Sequence, residues 1–392
     1  MLPKIILLLL LLLLTVYSHY TAGKRAGTPA RYVKVLLTGA PGGSDRIRAF
    51  DDIRLFAVIS VIGTHVIESG NSFPETTAAW TILSLLSIIF YNCNVLFAML
   101  SGALILNQKE EGLSSFYIRR ASRVIIPMAA YYMIYLYLGL YHSGLTDPAT
   151  LLDAGRRILS GPSIWNPHFW LIYVIISFYI AAPFFKVMVQ NMSDKLLFSF
   201  VILSLLMNTA LTFLPLLGIT FSFVTILCSW ESVFIFGYFW TRKSSVRYRR
   251  TAVFLGSASF LVTALVLYLS PSSGDYLFTK APSMLLMSGA VFAWFLSREE
   301  RLRTSGPLIR MIGKYSFSIL MIHWLILHNI TVDTLGLTAA SFGVVGGTAL
   351  SIAVTLALSL LFAIIFDNTV VISMETLFLK FCGLFGLKSK RE

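Results

Sequence analysis

The sequence predicts an all-α, polytopic membrane protein built as a bundle of about ten transmembrane helices. The first observation is composition: of 392 residues, 57% are hydrophobic and only 12% are charged, and the mean hydropathy is +0.79. Because a soluble domain carries about 25% charged residues, this chain has too little charge to cover a soluble surface. Composition therefore excludes a cytosolic enzyme, a disordered chain and a disulfide-rich secreted module.

The second observation is that apolar segments of spanning length alternate with polar breaks from residue 53 onward. Ten candidate spans follow from length and hydropathy, at 53–69, 80–106, 124–142, 168–188, 196–213, 219–240, 251–270, 281–297, 315–335 and 343–366. Aromatic residues such as Trp80 and Trp240 stand near the segment ends, as is typical of side chains at the membrane interface.

The third observation is where the basic residues fall. The net charge of +13 would suit a nucleic-acid-binding protein if the chain were soluble. With the stretch before the first span placed inside, however, 27 of the 31 Lys and Arg residues fall in inside segments, and only Arg156, Arg157 and Lys280 fall outside. The excess charge therefore indicates topology. We expect both ends of the ten-span unit to be cytoplasmic, a lipid bilayer around it, and no nucleic-acid partner.

Residues 1–45 form an N-terminal extension. Its leucine run, Ile5 to Leu14, is short for a span and resembles the core of a signal peptide. Cleavage after it would leave a basic stretch outside, against the orientation rule, so an extra anchor and a mis-called start both stay open. The predicted domains are this extension, a membrane domain at 46–370 and a basic cytoplasmic tail at 371–392.

The first span carries unusual charges for a membrane segment. Arg54 and His65 are eleven residues apart, so they share one helix face about 16 Å apart along the axis. Glu68 follows His65 by three residues and lies on the same face. An imidazole beside a carboxylate can act as a general base. The plainer interpretation is that neighbouring helices satisfy both groups.

Three arginines, Arg119, Arg120 and Arg123, stand at the inner end of the third span. Arg120 and Arg123 would form a same-face pair in a regular helix. Guanidinium groups bind phosphates with two parallel, charge-assisted hydrogen bonds, which would suit a cytoplasmic phosphorylated donor such as acyl-CoA. The alternative is topology signalling or contact with anionic lipid.

Further polar residues lie inside or beside later spans and are candidates for acceptor binding or for structural roles. They are Trp170, Glu231 and His323. The three cysteines are isolated, and no Cys or His spacing typical of a metal site occurs. We therefore expect no metal and no bound cofactor.

Taken together, these segments resemble the membrane-bound acyltransferase family 3, bacterial proteins that O-acylate envelope carbohydrates. The resemblance extends from about Arg46 to Phe366 and is specific because five loose patterns occur in order. These are Arg54 to His65, Leu96 to Gly102, Arg120-Ala121-Ser122-Arg123, His168-Phe169-Trp170-Leu171 with Tyr179 and Pro183, and Tyr315-Ser316 with His323. The basic N-terminal extension departs from the family's pattern, as does the lack of a C-terminal hydrolase-like domain outside the membrane.

The resemblance implies acyl-CoA, most commonly acetyl-CoA, as a co-substrate bound from the cytoplasm, and a carbohydrate hydroxyl as acceptor. It implies a bacterial inner-membrane enzyme that acts directly on its glycan. Under this hypothesis Arg120 and Arg123, with Arg119, bind the phosphates, and Arg54 serves the inner end of the acyl path. His65 is the base or the transient acyl carrier, and Glu68 orients it.

Two other functional classes stay open. A transporter or exporter of a lipid-linked or surface glycan would also use buried His, Glu and Arg residues in ten spans. The two related halves typical of many transporters are not evident in this sequence. A purely structural membrane subunit would not need the stripe of Arg54 and His65.

Overall fold

The computed structural model describes residues 2–39, 47–69, 73–75, 77–109, 111–142, 151–163, 165–219, 226–278, 280–299 and 306–387. Within these ranges every regular element is a helix, which confirms the predicted all-α class. The α-helices are α1 Leu2–Ala26, α2 Pro29–Thr38, α3 Ala49–Glu68, α4 Ala78–Phe90, α5 Cys93–Ile105, α6 Leu113–Arg120, α7 Ile126–His142, α8 Leu151–Ser160, α9 Trp170–Gln190, α10 Asp194–Phe213, α11 Trp230–Phe239, α12 Arg249–Leu269, α13 Gly274–Leu277, α14 Pro282–Leu296, α15 Pro307–Leu325, α16 Val344–Phe366 and α17 Ile372–Leu384.

Three π-helical segments follow or connect some of these α-helices. They lie at Ala121–Ile125 between α6 and α7, at Ile326–Val332 after α15, and at Asp367–Val371 between α16 and α17. Such π turns are often found at functional sites. The first of them contains Arg123, and the second contains His328 and follows directly on the helix that carries His323.

Seven helical stretches of the described chain are long and apolar enough to cross a membrane. They are Ala78–Ile105, Leu113–Leu138, Pro167–Gln190, Asp194–Leu217, Lys243–Leu269, Pro307–Val332 and Val344–Leu384. The other three predicted spans contain α3, which carries several charged residues, and the shorter helices α11 and α14. Residues 220–225 of the span predicted at 219–240 lie outside the described residues. The multi-pass architecture therefore stands.

The last helical stretch continues through the boundary predicted at residue 370. Val344–Leu384 has 41 residues and is about 60 Å long at about 1.5 Å per residue. Because the hydrocarbon core of a bilayer is about 30 Å thick, this stretch is twice as long as a span requires. Residues 372–384 of the predicted tail therefore belong to this helical stretch, as α17.

Helix α3 lies at the centre of the bundle and packs against α4, α5, α14, α15 and α16. Its N-terminus is capped by a distant residue: the Glu299 carboxylate accepts hydrogen bonds from the backbone N–H groups of Arg48, at 2.8 Å, and Ala49, at 2.6 Å. A carboxylate is favourable at this position because it satisfies free N–H groups and opposes the helix dipole.

Close contact between α5 and α11 depends on two glycines. A Cβ on Gly102 would lie 1.6 Å from the Phe234 carbonyl oxygen, and one on Gly237 would lie 1.7 Å from the Met99 carbonyl oxygen. Small residues let membrane helices approach closely. The Ser101-Gly102 pair in the sequence predicts this kind of packing, and the structure shows that α11 is its partner.

The N-terminal helices pack on the bundle. Thr15 Oγ1 lies 2.9 Å from Ser373 Oγ, and Ser18 Oγ donates to Thr376 Oγ1 at 2.8 Å, so α1 lies alongside α17. At the end of α2, the Leu36 carbonyl accepts hydrogen bonds from the Tyr315 hydroxyl at 2.8 Å and from the Lys314 ammonium. Residues 2–38 therefore contact both α15 and α17.

Candidate active site

Four histidines from three parts of the chain meet at one end of the bundle, here called the histidine end (His65, His168, His323 and His328). His65 comes from α3, His168 from the turn before α9, and His323 from α15. The ring of His323 stacks on that of His65 at 5.3 Å between centroids and meets that of His168 edge-on at 5.1 Å.

Trp324 completes this cluster. Its ring centroid lies 4.9 Å from that of His65, 5.7 Å from that of His168 and 4.3 Å from that of His328. The indole therefore touches three of the four imidazoles. Aromatic walls with a few convergent polar groups are the usual lining of a small-molecule site.

The side chain of His65 is held by a carboxylate. Glu68 Oε2 lies 2.7 Å from His65 Nδ1, and the other carboxylate oxygen accepts a hydrogen bond from the Tyr91 hydroxyl at 2.6 Å. Tyr91, Glu68 and His65 thus form one hydrogen-bonded line. With a proton on Nδ1 shared with Glu68, Nε2 is the nitrogen that can accept a proton from a substrate. The His65 side chain is 17% exposed, so a substrate can reach it.

The other histidines are held by backbone carbonyls. His323 Nδ1 donates to the Leu320 carbonyl at 2.8 Å, and His168 Nε2 donates to the Met321 carbonyl at 3.1 Å. The remaining ring nitrogens, Nε2 of His323 and Nδ1 of His168, are buried without a hydrogen-bond partner among the described residues. Each is therefore a buried hydrogen-bond acceptor whose partner is not among the described residues.

A second polar cluster, here called the arginine end, contains Arg54, Arg119, Arg120 and Arg123. The guanidinium of Arg120 lies 5.3 Å from the ring centroids of both Phe116 and Tyr179, and it donates to Gln108 Oε1 at 2.7 Å. Tyr179 also interacts electrostatically with Arg54 and Arg123. Three of the four arginines are thus gathered around this tyrosine.

The other arginines differ in their surroundings. Arg119 forms an ion pair with Glu111. Arg123 lies in the π turn and is exposed, whereas Arg120 is half-buried. Arg120 and Arg123 both interact with Tyr179, and they differ in exposure.

Arg54 belongs to the arginine end and not to the histidine cluster. Its Nη1 lies 3.6 Å from Asp51 Oδ1. An added Cβ on Gly313 of α15 would lie 3.7 Å from the same nitrogen. Because α3 is a continuous helix, Arg54 is about 16 Å from His65 along the axis. Helix α3 therefore carries Arg54 at one end and His65 at the other, and α15 passes Arg54 at Gly313 and carries His323.

Trp170 and Glu231 lie in a neighbouring group with Trp230 and Lys280. The rings of Trp170 and Trp230 are 5.5 Å apart, and the Lys280 ammonium lies 5.6 Å from the Trp230 ring and donates to the Cys228 carbonyl at 2.9 Å. Burial lowers the pKa of Lys280, and nearby Glu231 acts in the opposite direction. These contacts link the members of the group to one another and do not include His65.

Sequence reasoning missed Tyr91 and Trp324 as site residues. Tyr91 is 23 residues from Glu68 along the chain, so no helical spacing links them. Trp324 directly follows His323, yet an aromatic residue near a span end is ordinarily explained as an interface anchor. Over the residues that the structure describes, no group of three or more His, Cys, Asp or Glu side chains could hold a metal ion.

The sequence matches the model of one protein family. Residues 47–366 match the model of an acyltransferase domain, Acyl_transf_3, which covers most of the chain. Comparison with curated proteins and with solved structures gave no significant match. The matched region begins just before α3 and ends with α16, so it includes both polar clusters and leaves out α1, α2 and α17. The chain belongs to acyltransferase family 3 and is a multi-pass membrane acyltransferase.

Proposed function

We propose that the protein transfers an acyl group, acetyl in the simplest case, from cytoplasmic acyl-CoA to a hydroxyl of a cell-envelope carbohydrate. The arginine end binds the donor, and the histidine end binds the acceptor and carries out the transfer. The bacterial inner membrane surrounds the protein, and both ends of the ten-span unit face the cytoplasm. The asymmetry of the basic residues supports this orientation.

The chemistry follows from the line of Tyr91, Glu68 and His65. His65 Nε2 accepts the proton of the sugar hydroxyl while the hydroxyl oxygen attacks the thioester carbonyl carbon. The tetrahedral intermediate collapses, the carbon–sulfur bond breaks, and the proton on His65 passes to the departing CoA thiolate. Glu68 fixes the ring and stabilises the imidazolium that forms between these two steps. An acyl-histidine intermediate is the alternative route through the same nitrogen.

The distance between the clusters matches the shape of the donor. The pantetheine arm of CoA has about twelve bonds between phosphate and sulfur, or about 14 Å when extended, taking about 3.5 Å for every three backbone-like bonds. Arg54 at the arginine end and His65 are about 16 Å apart along α3. A donor whose phosphates lie at the arginine end can therefore bring its thioester to His65.

The acceptor proposal rests on the surroundings of His65. The partly exposed Trp324 indole lies against His65 and offers an apolar aromatic surface for a sugar ring, and His65 is itself accessible to a hydroxyl group. Family membership favours an enzyme over a glycan exporter.

The observation that carries the proposal is the contact of His65 with Glu68 at 2.7 Å, and His65→Asn tests it. In liposomes supplied with isotope-labelled acetyl-CoA and envelope glycan, we expect this variant to lose transfer by a factor of about 10² to 10⁴ while it still binds CoA. Mass spectrometry of the glycan identifies the acyl group and the sugar together.

The matched control is His19→Asn in α1, which should transfer at the wild-type rate. Wild-type transfer by His65→Asn would overturn the role of His65. A wild-type protein that moves glycan across the membrane without a covalent product would overturn the proposed function in favour of the exporter.

A further inference from the structure

A pocket of about 170 Å³ lies beside Arg120 at the arginine end, between the end of α5, the start of α6 and the C-terminal part of α9. Most of its walls are apolar, from Ile105, Leu113, Phe116, Ala182, Pro183 and Val187. Two cations from different elements, Lys109 and Lys186, also line it, as do the amides of Gln108 and Gln190.

This pocket shares its walls with the arginine motif. Phe116 lines the pocket and lies under the Arg120 guanidinium. Gln108 also lines it, and its side-chain oxygen accepts a hydrogen bond from Arg120 at 2.7 Å. Glu111, a third lining residue, pairs with Arg119. A ligand in the pocket would therefore lie directly beside Arg120.

The size and chemistry of the pocket fit a flat heteroaromatic ring that carries an anionic group. A cavity of about 150 Å³ holds a benzene ring in an otherwise packed protein, so this pocket can take a ring of similar or slightly larger size. The Gln108 side-chain oxygen already accepts a hydrogen bond from Arg120. The NH₂ group of Gln108 can therefore donate to a ring nitrogen. Gln190 donates to the Leu106 carbonyl at 3.0 Å, which leaves its oxygen to accept from an amino group.

We propose that this pocket binds the nucleotide end of the acyl-CoA donor. The adenine lies against Phe116 and the apolar wall, and the ribose 3′-phosphate is bound by Lys109 and Lys186. The diphosphate then reaches Arg120 and Arg123, and the pantetheine arm continues toward His65. This assignment rests on the proposed function, since it assumes that acyl-CoA is the donor.

The test compares two ligands on the full-length protein in nanodiscs of neutral lipid. CoA and 3′-dephospho-CoA differ by the single phosphate that the lysines are proposed to bind. In Lys109→Gln/Lys186→Gln we expect CoA binding to weaken about tenfold, because two charge-assisted contacts are lost. Binding of 3′-dephospho-CoA should stay at its wild-type value. The control is Lys195→Gln, an exposed lysine at the start of α10, which should bind both ligands as the wild type does.

A second variant tests the apolar part of the pocket without changing charge. Val187 lines the pocket and is 60% exposed, so a larger side chain there can fill the pocket from outside the core. We expect Val187→Trp to weaken binding of both CoA and 3′-dephospho-CoA by about tenfold. Binding of 4′-phosphopantetheine, which has no nucleotide, should be unchanged.

Several outcomes would overturn the assignment. If the lysine variant loses the same affinity for CoA and for 3′-dephospho-CoA, or loses none, the lysines do not bind the 3′-phosphate. A lysine variant that responds only to added anionic lipid would make the pocket a lipid site. If the wild-type protein binds CoA tightly and both variants bind it equally well, the pocket does not bind the nucleotide, and acyl-CoA can still be the donor. A wild-type protein that binds no CoA would overturn the proposed donor as well.

Discussion

Helix α3 joins the arginine end at Arg54 to the histidine end at His65, yet the two ends differ in how their polar groups are satisfied. At the arginine end, Arg119 pairs with Glu111, Arg54 lies near Asp51, and Arg123 is exposed. At the histidine end, His168 and His323 are buried and bonded to backbone carbonyls. The first arrangement suits the capture of a charged ligand, and the second suits chemistry shielded from water.

This difference predicts that substitutions at the two ends have different kinetic effects. Loss of a group at the histidine end should lower kcat, because the group acts on the reacting atoms. Loss of a group at the arginine end should raise KM for the donor, because the group binds a part of the donor that does not react.

The largest effect in this comparison is expected for Glu68→Gln. The amide keeps the shape of the carboxylate but removes its charge, so it no longer stabilises the imidazolium of His65. We expect kcat to fall about 10²-fold with donor KM unchanged, as measured by steady-state transfer in liposomes. Glu75→Gln, an exposed glutamate beyond the end of α3, is the control. If Glu68→Gln raised donor KM and left kcat alone, the division between the two ends would be wrong.

The next effect is expected for Arg120→Ala. Removing the guanidinium between Phe116 and Tyr179 should raise donor KM by about 10- to 50-fold and leave kcat nearly unchanged. Arg120→Lys should recover only part of this loss, because an ammonium cannot stack between two rings as a planar guanidinium does.

The control for Arg120 is Arg250→Ala, an exposed arginine in the first turn of α12. A full rescue by Arg120→Lys would mean that charge alone matters at this position, which would contradict the role of stacking.

A smaller effect is expected for Tyr91→Phe. The variant keeps the ring that stacks on Phe278 at 4.3 Å and loses only the hydroxyl that donates to Glu68. A lost hydrogen bond of about 1 kcal/mol corresponds to about a fivefold fall in kcat. Combined with Glu68→Gln, the Tyr91 substitution should add little, since Tyr91 acts through Glu68. Fully additive losses in this pair would show that the hydroxyl acts elsewhere.

The smallest effect on catalysis is expected where the terminal helices meet. Thr15→Val with Ser18→Ala removes the hydrogen bonds of α1 to Ser373 and Thr376. We expect stability to fall by about 1 kcal/mol for each bond, measured as a lower melting temperature in detergent, with kcat and donor KM unchanged. Thr38→Val is the control, because the Thr38 hydroxyl bonds to Lys34 in its own helix. A change in donor KM would instead link α1 to the arginine end.

Much of the fold could be predicted because a membrane imposes strong rules on sequence. Length and hydropathy gave the helical spans, and the distribution of Lys and Arg gave an orientation. The same rules do not show where a helix continues past a span. The stretch Val344–Leu384 extends well beyond the tenth predicted span, and hydropathy detects the span but not the helix that continues from it.

The candidate site could be predicted only where its residues share a helix. His65 and Glu68 are three residues apart, so helical geometry alone places them together. The arginine motif could also be found by spacing. The π turn at Ala121–Ile125, which contains Arg123, could not be foreseen, because a π turn has no clear signature in a single sequence.

The sequence by itself determined the class of the protein, its helical spans and the stripe of Arg54, His65 and Glu68, because these depend on composition and on the fixed repeat of the α-helix. Only the tertiary structure decided that Tyr91 holds Glu68, that His168, His323 and Trp324 surround His65, and that α1 pairs with α17. These contacts join residues from 23 to more than 350 positions apart. These contacts depend on how the helices pack, and the spacing of residues within one helix does not show which helices will pack together.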